Sequence, residues 1–146
     1  WTGIMNIAKK AGIIDAMTRM MTPVLTFLFP DIPKGHVANE YIAANMISNM
    51  LGLSWAATPA GLKAMEEMKK LNNGSRTAST DMCTFLIINI SSLQLIPVNI
   101  IAYRTQYGSV APTDIIGMGL VATTVSTLVG AAFSVIARSI VKKHGR

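Results

Sequence analysis

Charged side chains are scarce in this chain. They make up 14% of its residues, against roughly 25% in an ordinary soluble domain, while 51% are hydrophobic and the mean hydropathy is +0.43. A surface wetted on all sides is hard to build from that composition, which belongs to the membrane class. Aromatics are few, at 6%. No basic stripe is interleaved with them, so the net charge of +6 is the one feature that favours nucleic acid, and no nucleic-acid partner is expected. The single cysteine, Cys83, excludes an internal disulfide. His36 and His144 stand far apart with no Cys or carboxylate at ligand spacing, so no metal site is expected. "GLKAMEEMKK" lacks the spacing of a phosphate loop. Glu66 and Glu67 lie in a Lys-rich helical pattern and read as solvated charges rather than as an acid–base pair. No nucleophile, base or cofactor set can be assembled, so the expectation is a chain without catalytic residues or cofactors.

The positive charges that are present flank apolar runs: Lys9, Lys10 and Arg19; Lys63, Lys69, Lys70 and Arg76; Arg138, Lys142, Lys143 and Arg146. These are positions that orient membrane segments. Phe85–Tyr103 has 19 residues without a charge and Ile115–Ala137 has 23, where a spanning helix needs about 20. Both read as transmembrane helices, at 85–103 and 115–137. The connector between them holds only Arg104 and Asp114, so the charge bias puts residues 63–81 and the C-terminus in the cytoplasm. The spans hold no acid or base, which excludes intramembrane proteolysis or a proton relay within them.

Upstream, Ile13, Ile14, Met17, Met21, Val24, Leu25 and Leu28 keep the three-and-four spacing of an amphipathic helix. Gly12 separates it from Trp1–Ala11, the expected tail of an earlier helix, and Pro23 is expected to kink or restart it. A Met-rich apolar stripe beside cations predicts an interfacial helix over 13–29, with Asp15 and Arg19 spaced to pair. "FPDIPKG" breaks the helix. A broken or re-entrant helix pair is expected over 37–73. Its first arm runs from Val37 to about Leu53. Its second starts at Thr58-Pro59, carries a Glu66–Lys70 pair and ends at Asn73-Gly74. The fold class is therefore all-α: a polytopic membrane protein with an interfacial helix, a broken pair and two C-terminal spans, forming one domain. The absence of an initiator Met points to an N-terminally truncated fragment.

Residues 41–62 are free of charge, yet they carry amides, hydroxyls, Pro59 and two glycines. Asn45, Asn49 and Gly52 share a helical face, with Ser48 alongside. In the next apolar segment Asn89, Ser92 and Asn99 keep the same rhythm, interrupted by Pro97. An unsatisfied polar group in hydrocarbon costs several kcal/mol, so these faces must meet each other, water, a ligand or another chain. Paired interrupted segments point to a transporter's binding site. The expected ligand path is Asn45, Ser48, Asn49, Gly52, Thr58, Pro59, Asn89, Ser92, Pro97 and Asn99. Asn amides suit neutral hydrogen-bonding solutes because they both donate and accept. The competing reading is that the amides are interhelical glue, worth about 0.6 kcal/mol per contact. Gly119, Thr123, Ser126, Thr127, Gly130 and Ser134 form a small-residue packing strip on the last span.

"LFPDIP", the Asn-x-x-x-Asn-x-x-Gly of Asn45, Asn49 and Gly52, and "AATPAGLKAMEEMKKLN" resemble the spore maturation protein A family, within the larger group carrying the nucleoside recognition, or gate, domain. "TFLIINISSLQLIPVNIIAYR" and "PTDIIG" fit as well, so the resemblance covers nearly the whole chain. One departure is Trp55, which stands where the family pattern has a small polar residue, often Asn. The resemblance implies a multi-pass protein of the bacterial plasma membrane, tied to spore maturation and core dehydration. It also implies a sister partner of the spore maturation protein B type, which carries a related gate half. The expected function is half of a gate-type permease or channel for a small polar solute such as a nucleoside-like one. The alternative is a scaffold that docks a partner membrane protein.

Overall fold

A computed structural model describes residues 12–91 and 94–144. The expected Trp1–Ala11 helix, the Asp15 side chain and Ser92 lie outside the described residues. Among those described, every regular element is helical: α1 (Ile13–Leu28), α2 (Val37–Met50), α3 (Ser54–Leu71), α4 (Thr80–Ser91), α5 (Val98–Gln106), a 3-10 turn (Pro112–Asp114) and α6 (Ile115–His144).

α2 and α3 form a tight hairpin because their facing surfaces are alanine. Ala38, Ala43 and Ala44 on α2 and Ala56, Ala57, Ala60 and Ala64 on α3 are all buried, and small residues let two backbones approach closely. The core grows outward from that hairpin. Met21, Leu25 and Leu28 of α1 reach it from one side and Phe85 and Ile88 of α4 from the other. Phe29 and Phe85 meet at 6.3 Å between ring centres, inclined at 60°, within the usual range for a tilted aromatic pair. α1 runs on through Pro23, which stays exposed.

α2 ends in a Schellman turn. The N–H of Leu53 donates to Ser48 O at 2.8 Å and that of Gly52 to Asn49 O at 2.9 Å, with Gly52 left-handed at φ 70°. Leu53 then caps α3 at once, so α3 starts at Ser54 rather than at Thr58, and Pro59 lies inside the helix. Surface pairs on α3 also differ from expectation: Lys63 bonds Glu66 and Lys70 bonds Glu67, rather than Glu66 bonding Lys70. The three-residue spacing brings each pair together equally well. α3 ends at Leu71, and Asn73 and Gly74 both take positive φ beyond it.

Phe85–Tyr103 is not one continuous helix. Residues 94–97 are not helical and α5 begins only at Val98, because Pro97 has no N–H to continue a helix. α6 is continuous and longer than the 115–137 span, with 30 residues, or about 45 Å at 1.5 Å per residue. It is the one helix among the described residues long and apolar enough to cross a membrane, and only 6% of its most apolar stretch is buried. A core helix of a soluble protein would be largely covered. Here Met118, Val121, Val125, Leu128, Phe133 and Ile136 are exposed together on one face. The opposite face packs on α4, with Gly130 against Ser91. Of the small-residue strip, Ser126 is exposed, and Ser134 is buried with its hydroxyl bonded to Gly130 O.

Candidate functional site

Three asparagines meet where α2, α3 and α4 come together. Asn45 is buried, and its Nδ2 donates to the carbonyl of Ala57 on α3 at 2.8 Å. Asn49 Nδ2 donates to Asn45 Oδ1 at 3.4 Å and to Asn89 Oδ1 at 3.0 Å. Asn89 Nδ2 in turn donates to Phe85 O at 3.1 Å, one turn back on its own helix. The amides thus form a chain running from the α3 backbone, across α2, to α4. Gly61 makes room for it: a Cβ there would lie 2.8 Å from Asn45 Nδ2. The glycine in "TPAG" therefore seats a buried amide against the helix rather than breaking the helix.

The chain of amides is also a wall. On the side of α1 and α6 lies an apolar cavity of about 550 Å³, lined by Met21, Phe27, Met46, Met50 and Leu128, with Asn49 and Asn89 at its edge. On the side of α3 lies a second concavity of about 290 Å³, lined by Asn45, Thr58, Gly61, Met65 and Phe85 and again by Asn49 and Asn89. Asn49 and Asn89, which bond each other, belong to both.

The two chain breaks touch next to this wall. The N–H of Leu95 donates to Met50 O at 2.8 Å, and a Cβ on Gly52 would lie 2.2 Å from Ile96 O. Pro97 is buried, 3.9 Å from the position of a Cβ on Gly119. Two threonines of α6 lie near Ser91 and Gln94. Thr127 Oγ1 donates to Ser91 O at 3.4 Å, while Thr123 Oγ1 lies 3.4 Å from Gln94 O but donates at 2.9 Å to Gly119 O on its own helix.

The structure brings Asn45, Asn49, Thr58 and Asn89 together around the smaller concavity, with Gly52 and Pro97 at the crossing of the breaks. It does not bring Asn99 to them. Asn99 is exposed on α5, because the turn before Pro97 resets the helical register. Ser48 contributes its carbonyl to the Schellman turn. Pro59 lies inside α3 and is half-buried. Gly61 and the α6 threonines were not among the expected path residues. The small-residue spacing of α6 did mark its packing face, but nothing in it indicated which carbonyls its hydroxyls meet.

A second polar cluster also went unforeseen. Asp81, in the first turn of α4, is 3% exposed. It pairs with Arg138 of α6 and accepts the N–H of Asp31 at 3.2 Å through Oδ2. Burial pushes its carboxyl up to about 6, although the Arg138 guanidinium and the N–H groups of Asp31 and Ile32 pull the other way. The cluster ties the Pro30–His36 turn and the start of α4 to the C-terminal end of α6. Among the described residues no group of three or more His, Cys, Asp or Glu could hold a metal ion.

The sequence is 49% identical over 126 residues to spore maturation protein A of Bacillus subtilis, a match covering 86% of this chain. The chain belongs to the spore maturation protein A family. It spans 64% of that relative's length. No family model matches the chain. No solved structure matches it.

Proposed function

We propose that this chain is one half of a gate-type permease or channel of the bacterial plasma membrane, acting with a sister subunit of the spore maturation protein B type during spore maturation and core dehydration. The observation that carries the reading is the amide wall: Asn49 and Asn89, bonded at 3.0 Å, border concavities on both sides of the bundle. A neutral solute able to donate and accept hydrogen bonds can replace that bond without leaving either amide unsatisfied. An ion finds no opposite charge there.

In the proposed topology α6 spans the bilayer, α1 lies in the interface, and the paired breaks re-enter at membrane depth. The contact of Asp81 with Arg138 supports placing residues 63–81 and the C-terminus on one side, which the charge bias makes the cytoplasm. The test is Asn49→Leu and Asn89→Leu. Both variants should insert and retain the sister subunit yet fail to support spore maturation, and an active Asn49→Leu protein would remove the path.

The second reading is a scaffold that docks a partner and conducts nothing. It is favoured by the way the three amides bond one another and the carbonyls of Ala57 and Phe85. In that case the same leucine variants lose the partner on co-purification.

A further inference from the structure

A third concavity, of about 440 Å³, lies away from the amide wall, between α1 and the turn that carries Pro30 to His36. α1 has three distinct faces. Met21, Leu25 and Leu28 point into the core; Met20, Val24 and Phe27 are exposed and apolar; Arg19, Thr22 and Thr26 line the concavity. Lys34 and His36 of the turn line it too. His36 Nδ1 accepts the N–H of Ala38 at 3.1 Å, so the neutral ring carries its proton on Nε2 as a donor. Glu40 lines the same concavity and opposes an anion, leaving the fixed charges of Arg19, Lys34 and Glu40 at a net of one positive. The N-terminus of α2 opens beside them and favours an anion.

Depth is set independently. The turn is bonded through Asp31 to Asp81, and Asp81 to Arg138, six residues before the end of α6. Lys142 and Lys143 follow on the same end. If α6 spans the bilayer, the concavity lies at headgroup level on the side rich in Lys and Arg, where anionic lipids gather. The apolar face of α1 then has acyl chains beside it.

We propose that this concavity holds the phosphate of an anionic phospholipid headgroup, clamped between Arg19 of α1 and Lys34 of the turn, with the His36 Nε2–H as a third donor. The site rests on the membrane placement of the chain and not on any conduction through it. A loss of transport without a loss of lipid binding therefore leaves it standing.

The test titrates the full chain in detergent with phosphatidylglycerol and follows the melting temperature, with phosphatidylcholine as the neutral comparison. Phosphatidylglycerol should raise the melting temperature well above phosphatidylcholine. Arg19→Gln/Lys34→Gln should shift the half-point of that titration at least about tenfold, from the contribution of each cation near an anionic surface. Lys142→Gln/Lys143→Gln should leave it in place. Lys34→Glu alone, on an exposed turn, gives the same reading should the double variant prove unstable. Retention of the full effect by Arg19→Gln/Lys34→Gln overturns the site. An equal loss in the Lys142/Lys143 variant overturns it too, by showing a diffuse attraction. If inorganic phosphate alone reproduces the rise, the ligand is free phosphate and the lipid assignment fails.

Discussion

Replacing Gly61 by Ala tests whether the amide wall is built into the helix that supports it. In an ordinary helix interior the change is favourable by up to about 1 kcal/mol, since Gly loses the most backbone entropy on folding. Here the new methyl carbon would stand 2.8 Å from Asn45 Nδ2 and 3.6 Å from its Cγ. Asn45 is 3% exposed, so its amide has to rotate toward the concavity it lines. It must give up its 2.8 Å bond to Ala57 O, and it is held on its other side by Asn49. A buried amide left short of a partner costs about 1–3 kcal/mol. Gly61→Ala should therefore be neutral to destabilising by about 2 kcal/mol. Gly117→Ala, with nothing within 4 Å of its new carbon, should gain up to about 1 kcal/mol. At about 2–4 °C per kcal/mol for a chain near this size, melting in detergent should separate the two by several degrees. A cycle with Asn45→Ala isolates the cause: without the amide, Gly61→Ala should recover the gain seen at Gly117. If Gly61→Ala stabilises the protein with Asn45 present, the amide does not sit where this reasoning needs it.

Gly52→Ala should be harsher. Its carbon would lie 2.2 Å from the backbone oxygen of Ile96, and φ 70° is left-handed. That conformation alone costs an L-residue about 1–2 kcal/mol, so a loss above about 3 kcal/mol is expected, and normal melting would show that the two breaks do not touch. Asp81 gives a pH signature. Its folded value of about 6 lies above the ordinary 3.8, so the folded state holds the proton more tightly than the unfolded chain does. Its contribution is complete below pH 3.8 and is lost as pH rises through about 6, roughly 3 kcal/mol for two units. The difference in melting temperature between wild type and Asp81→Asn should fall across that window, and a flat difference from pH 4 to 7 would show that burial does not govern this carboxyl.

The helical class, the α1 and α2 patterns, the glycine ending of α3 and the last apolar span were legible because each depends on local periodicity or on a cap. The Asn45–Asn49–Gly52 face was legible for the same reason. Its meeting with Asn89 was not, because forty residues separate Asn49 from Asn89 and no spacing rule reaches across them. The register of Asn99 failed at Pro97, where the chain leaves helical geometry and the count of residues no longer fixes a face. The start of α3 was misplaced because Thr58-Pro59 has the chemistry of a cap, while the Schellman turn at Gly52 had already delivered a competent start four residues earlier. Arg138 reads as a flanking charge in the sequence, and nothing there singles out Asp81. Their burial as a pair arises only when α4 packs on α6.

Helix breakers in an apolar segment raise a problem of unpaired backbone, and the way this chain meets it bears on where the segment can lie. Hydrocarbon leaves no water to satisfy a freed carbonyl. At the crossing of the two breaks Met50 O receives the N–H of Leu95, Ser48 O that of Leu53, and Ser91 O the hydroxyl of Thr127. The amide wall follows the same logic one turn away, with side chains and carbonyls in place of backbone pairs. The described backbone groups named here are thus paired with the other break or with α6. The side chains that do not complete the backbone, those of Asn49 and Asn89, are the ones that border both concavities. They can exchange partners while the breaks stay closed. Separating them costs about one hydrogen bond between neutral groups, about 1 kcal/mol net, whereas opening the crossing itself would strand several backbone groups at once. Any movement at this site therefore belongs to the amides and not to the helix breaks beside them.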